Sequence, residues 1–174
     1  MSAAIRMGRV RGFTLLELIV VISIISVMGI ALTERLVKYA EVAEKTSMEY
    51  TANTINTALL FEFAEHIIRG RRGDISAMVD ANPVMFLAQP PSNYLGEFSD
   101  PPANEAQRGN WYYDTAAHEL VYLVKRGDNF QADGAGLKRV RYRVTILYDR
   151  DAVGRPITGI VGVVIKPVEP YRWF

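Results

Sequence analysis

The chain has 174 residues, 49% of them hydrophobic, and a formal net charge of +1 from 20 basic against 19 acidic side chains. That length suits a single core, and so even a charge balance, slightly acidic once Arg6, Arg9 and Arg11 are set aside, argues against general electrostatic capture of nucleic acid. The absence of cysteine excludes a disulfide, a thiolate metal site and a cysteine nucleophile together.

Residues 1–12 contain those three arginines and no acid, the bias that keeps a membrane-flanking end in the cytoplasm, so the rest of the chain is expected to face outward. An apolar run follows from Phe13 to Thr33. Its 21 residues would reach about 31 Å as a helix, against a hydrocarbon core about 30 Å thick. Ser23 and Ser26 interrupt the run, but each hydroxyl is expected to bond back to a helix carbonyl. Glu17 is its one charge. A carboxylate at that depth costs a few kcal/mol, which makes Glu17 a functional candidate in need of a partner.

The segment Arg11-Gly12-Phe13-Thr14-Leu15-Leu16-Glu17 followed by Leu18-Ile19-Val20-Val21 resembles the N-terminal signature of type IV pilins and type II secretion pseudopilins. The resemblance implies a leader cut between Gly12 and Phe13 by a prepilin peptidase, N-methylation of Phe13, and use of Glu17 in assembly. It also implies three kinds of partner: the peptidase, other pilin or pseudopilin subunits, and an inner-membrane assembly platform. The residues give Glu17 the same role independently. Cleavage would create an ammonium at Phe13, and between staggered helices that ammonium could reach the Glu17 of a neighbour, turning two costly buried charges into a register-fixing pair. Two other readings fit part of the pattern. A secretory signal peptide would use Gly29-Ile30-Ala31 for cleavage, although Glu17 and the bulky Leu32 count against it; a plain membrane anchor explains the length but not Glu17.

From Glu34 to Arg69 the helix is expected to continue. Met48, Ala52, Ile55, Leu59, Phe63 and Ile67 recur at helical spacing for one buried stripe, while Glu44, Lys45, Glu49, Asn53, Asn56 and Glu62 suit a solvated or polar-contact face. Arg69-Gly70-Arg71-Arg72-Gly73 supplies a stop. No proline occurs from Phe13 to Ile68, where many type IV pilins carry a kinking proline, and Gly29 is the expected soft point. Asp74 is placed to cap a short helix through Val79, and Asn82-Pro83 to end it or open another turn carrying Val84 to Leu87. Gln89 to Asn110, with Pro90, Pro91, Pro101 and Pro102, reads as a long irregular crossover.

The last third reads as strands at Asn110 to Asp114, Leu120 to Lys125, Arg139 to Tyr148 and Ile157 to Ile165, the first two forming a hairpin. On the third, Val140, Tyr142, Val144, Ile146 and Tyr148 face one way and Arg139, Arg141, Arg143 and Thr145 the other. The fold class expected is therefore α+β: a long N-terminal helix, 13–69 with its transmembrane half at 13–33, packed on an antiparallel sheet of about four strands. Residues 1–12 form the leader and 70–174 a pilin-like head on 34–69.

Other chemistry is thin. His66 and His118 read as helix-surface and turn residues, and the clusters Asp128-Asn129, Asp133-Gly134 and Asp149 with Asp151, which lack the ligand alternation of an EF-hand calcium loop, as solvated turns. No metal, cofactor or catalytic residue is expected. Tyr142 lies opposite the β-strand arginines, so stacking and phosphate contact would not cooperate, and nucleic acid is an unlikely partner. The arginines are expected to meet acidic neighbours or guard a sheet edge. The function expected is a non-enzymatic filament subunit, held first in the inner membrane with a periplasmic head. Many type IV pilins staple their C-terminal region with a disulfide, which this chain lacks, and that absence together with the particular loop favours a minor or accessory subunit. The alternative is a single-pass membrane-anchored periplasmic enzyme or binding domain.

Overall fold

A computed structural model describes residues 12–71, 75–99, 107–150 and 156–174. The leader arginines, Arg72-Gly73-Asp74 with its expected cap, Pro101-Pro102 and Asp151 lie outside the described residues. One helix, α1 (Leu15–Ile68), runs through two compact units, Met1–Ala40 and Glu41–Phe174.

In the first unit α1 stands without packing partners, every side chain from Gly12 to Tyr39 being exposed. This stretch is long and apolar enough to cross a membrane. The hydroxyls behave as expected: Ser23 donates to the Ile19 carbonyl and Ser26 to that of Ile22, each at 2.8 Å, and Thr33 donates to Gly29 at 2.9 Å. No side-chain donor of these three is thus left to lipid.

In the second unit the remainder of α1 is followed by a short helix α2 (Ala77–Asp80), a 3-10 turn (Pro83–Phe86) and five strands. These are β1 (Tyr94–Phe98), β2 (Trp111–Asp114), β3 (Glu119–Leu123), β4 (Arg139–Arg150) and β5 (Pro156–Pro167), forming one sheet in sequence order. The α+β architecture is the expected one, but the sheet has five strands and is mixed, because β1 pairs parallel to β2. β1 lies within the stretch read as an irregular crossover. Its signal is weak for a physical reason: Gly96, at φ +107, sits at a register shift between Tyr94 and Glu97, so no alternation survives.

The helix stripe packs as its spacing requires. Met48, Ala52, Ile55, Leu59 and Phe63 are buried against Trp111, Tyr122, Val140, Tyr142, Val144 and Ile165 on one face of the sheet, with Ile67 partly covered. Each fully enclosed Ile or Leu contributes about 1.5–3 kcal/mol. Trp111 sits between the rings of Tyr122 and Tyr142, at 5.0 and 5.8 Å. The helix ends at Gly70, φ +70, where the Gly70 amide donates to Ile67 and the Arg71 amide to His66. This is a Schellman stop built on the expected glycine. Asn82 opens the next turn by accepting from the Val84 amide at 3.0 Å.

Polar side chains on α1 do more than face solvent. Glu44, read as part of a solvated or polar-contact face, is buried, and Glu41, one turn earlier, is only 2% exposed. Glu44 accepts from the Lys125 and Arg126 amides at 2.7 and 2.8 Å and from the Tyr122 hydroxyl at 3.1 Å. Glu41 accepts from the Asn129 amide at 2.9 Å, its side chain at 2.7 Å and the Trp173 indole at 3.0 Å. Lys45 then donates to the Trp173 carbonyl and Glu49 accepts from Tyr171, so residues 171–173 are tied to three successive turns of α1. Asn56 accepts from the Ile165 amide at 2.7 Å, engaging a backbone donor of edge strand β5.

Burial opposes the charge on Glu41, but the bonds from Asn129 and Trp173, with Lys138 nearby, hold its carboxyl below the ordinary carboxylate range. Its contribution to stability is therefore present above an unfolded value near 4.5 and is lost as pH falls through the lower folded value. Glu41→Ala leaves the buried Trp173 indole without its acceptor and releases both Asn129 donors, and urea unfolding should show a loss of about 1–3 kcal/mol at pH 7. Glu41→Gln should lose less and flatten the fall in stability below pH 4.5.

Candidate assembly site

The residues singled out at the start of the chain lie on either side of a helix start. Gly12 and Phe13 precede α1 in backbone without regular structure, and Phe13 is 71% exposed. The Gly12–Phe13 bond is therefore outside any helical hydrogen-bond ladder, and a Cβ at Gly12 would meet nothing within 4 Å. Glu17 lies in the first turn of α1.

Thr14 connects the two. Its Oγ1 accepts from the Glu17 amide at 3.2 Å while its carbonyl accepts from Leu18 at 3.1 Å. Thr14-Leu15-Leu16-Glu17 is thus a helix N-terminus of the Thr-x-x-Glu type, with Thr14 at the cap and Glu17 three residues on. A carboxylate there is favoured by the partial positive charge of unpaired helix amides. The sequence reading missed this cap, although the spacing announces it. Glu17 therefore serves the helix as well as being the buried-charge candidate. Among the described residues no cation pairs with its carboxylate.

A family model described as the prokaryotic N-terminal methylation motif matches residues 7–33. The chain carries the type IV pilin and pseudopilin signature. No curated protein and no solved structure matches. The pilin motif implies processing by a prepilin peptidase and assembly with other pilin subunits, and with the apolar half of α1 it fits membrane anchoring.

The other candidate chemistry is taken up by the fold. Arg139 is paired with Asp133 at 2.6 Å, Arg141 with Glu119 and Glu169 at 3.4 and 2.9 Å, and Arg143 with Glu119 at 2.7 Å. The basic strand therefore meets acids of its own chain. Asp133 Oδ1 also accepts from the Ala135 and Leu137 amides, and Asn129 is bound to Glu41, so these two members of the acidic turns are engaged by protein partners. No group of three potential ligands is gathered among the described residues. His118 occupies the β2–β3 turn at φ 53, and His66 lies in the last turn of α1, 3.3 Å from Glu62.

Removing the Thr14 cap should loosen the first turn by about 1 kcal/mol. Hydrogen exchange on the full chain in detergent should show the Glu17 amide exchanging about 5-fold faster in Thr14→Ala, with Thr14→Ser near the parent rate. Equal rates in all three would remove the cap from the account.

Proposed function

We propose that this chain is a structural, non-enzymatic subunit of a type IV pilus or type II secretion pseudopilus, cut after Gly12 and N-methylated at Phe13. The observation that carries the reading is the methylation motif over residues 7–33, joined to an exposed apolar helix and a head packed on that helix's continuation. In the precursor, residues 1–12 lie on the cytoplasmic side of the inner membrane and the head in the periplasm. An assembly platform then draws subunits out of the bilayer, exchanging lipid contacts of residues 13–33 for helix packing.

Glu17 acts at that exchange. In the precursor its carboxylate is eased by the helix start; after cleavage the Phe13 ammonium of one subunit pairs with the Glu17 of the next and fixes the axial stagger. The accessory rank expected from the missing cysteines loses that support. Glu41, Lys45 and Glu49 bind residues 171–173 non-covalently, the work that a disulfide does for the C-terminal region of many type IV pilins.

Glu17→Ala tests the role of the acid. Membrane insertion should be unchanged or improved, while incorporation into filaments should fall at least about 10-fold, since loss of one partner of a buried ion pair costs about 3–5 kcal/mol. Normal incorporation, measured on sheared filaments against total membrane protein, would sink the role assigned to Glu17.

A further inference from the structure

Chain segments 130–134 and 169–172 bound a cleft of about 410 Å³ into which Arg139 reaches from β4. The segments are joined where the Gln131 amide donates to the Arg172 carbonyl at 3.0 Å and Phe130 bridges to Trp173. The rings of Phe130 and Tyr171, stacked 6.2 Å apart, give the cleft an apolar part. Its acids are already answered. Asp133, with a side chain 3% exposed, accepts from the Ala135 and Leu137 amides and from Arg139 Nε at 2.6 Å. Burial opposes its charge, but these bonds hold its carboxyl below the ordinary range. Glu169 accepts from Arg141 at 2.9 Å. The donors are not all answered. Arg172 is exposed and meets no acid among the described residues. Bonds to Asp133 and Tyr112 orient the Arg139 guanidinium without using all of its N–H groups. The Ala132 amide and carbonyl, on the same wall as Asp133, take no hydrogen bond among the described residues.

We propose that this cleft binds an acidic peptide segment, with a carboxylate side chain of the peptide answering Arg172 and Arg139. The sign follows from charge. Pairing Asp133 with Arg139 and Glu169 with Arg141 leaves the positive charge of Arg172 over, so the ligand brings a negative one. The chemical group follows from shape, because the planar fork of a guanidinium matches a carboxylate through two parallel bonds. Size argues against a bare ion. The cleft has room for about fourteen waters and falls within the range of about 300–1,000 Å³ in which proteins enclose organic ligands. The open amide and carbonyl of Ala132 suit the peptide groups that flank such a side chain, and the rings of Phe130 and Tyr171 suit its methylenes. The site is independent of the filament reading, since neither the residues around Gly12 and Glu17 nor the outward face of α1 takes part.

Full-length protein, isotope-labelled for NMR and held in detergent, would be titrated with acetyl-Ala-Glu-Ala-amide, with its Gln isostere and with inorganic phosphate, following the Ala132 and Gly134 amide signals. The Glu peptide should move both signals to saturation with a dissociation constant of about 1 mM or below, and the Gln peptide should bind at least about 10-fold more weakly. Arg172→Gln should weaken the Glu peptide at least about 10-fold with the unfolding midpoint unchanged, and Arg172→Lys should weaken it less. Lys166→Gln removes an exposed cation outside the cleft and should bind as the parent does. No saturable change, equal binding of the two peptides, or parent affinity in Arg172→Gln would overturn the site. The same loss in Lys166→Gln as in Arg172→Gln would reduce it to general charge and overturn it equally. Phosphate moving the same signals at the same concentrations would overturn the peptide as occupant.

Discussion

Two carboxylates three residues apart on α1 determine how the head is held. Glu41 and Glu44 accept bonds from the Lys125–Asn129 turn and from Trp173, and so join helix, sheet connection and residues 171–173 at one place. Burying two acids is unfavourable unless each lone pair is used. Here three donors reach each carboxylate, four of the six being backbone amides or the indole, groups that would themselves be costly to bury unpaired. Phe130 adds an edge-on contact to Trp173 at 5.2 Å beside this junction. The arrangement gives a cysteine-free chain a fixed connection where a covalent one is otherwise common.

The same helix handles charge oppositely along its length. In residues 13–33 the single acid stands in the first turn, where the helix start favours it. Further along, Glu41 and Glu44 turn inward and find partners on the head. On the sheet, Arg139, Arg141 and Arg143 of β4 lie on the face away from α1, and Glu119, itself 3% exposed, answers Arg141 and Arg143.

Periodicity made much of this legible. The stripe Met48 to Phe63, the alternation of β4, the β2–β3 hairpin and the glycine stop at Gly70 all follow from spacing alone, because in each a repeated contact enforces the pattern. What escaped was non-repeating. β1 is short, contains Gly96 and pairs in parallel through a bulge, and nothing in the sequence singled out Glu41, whose partners lie 88 and 132 residues away. The motif at Gly12, Phe13 and Glu17 was readable from residue types at fixed offsets, and the cap at Thr14 would have been too, had the Thr-x-x-Glu spacing been weighed.

The central claim is that the chain is a processed filament subunit. The measurement that reaches it most directly is the intact mass of the protein produced with and without a prepilin peptidase. Loss of residues 1–12 together with gain of one methyl group, only when the peptidase is present, is the result the account predicts. A mass unchanged by the peptidase, or a cut near Ala31, would contradict it.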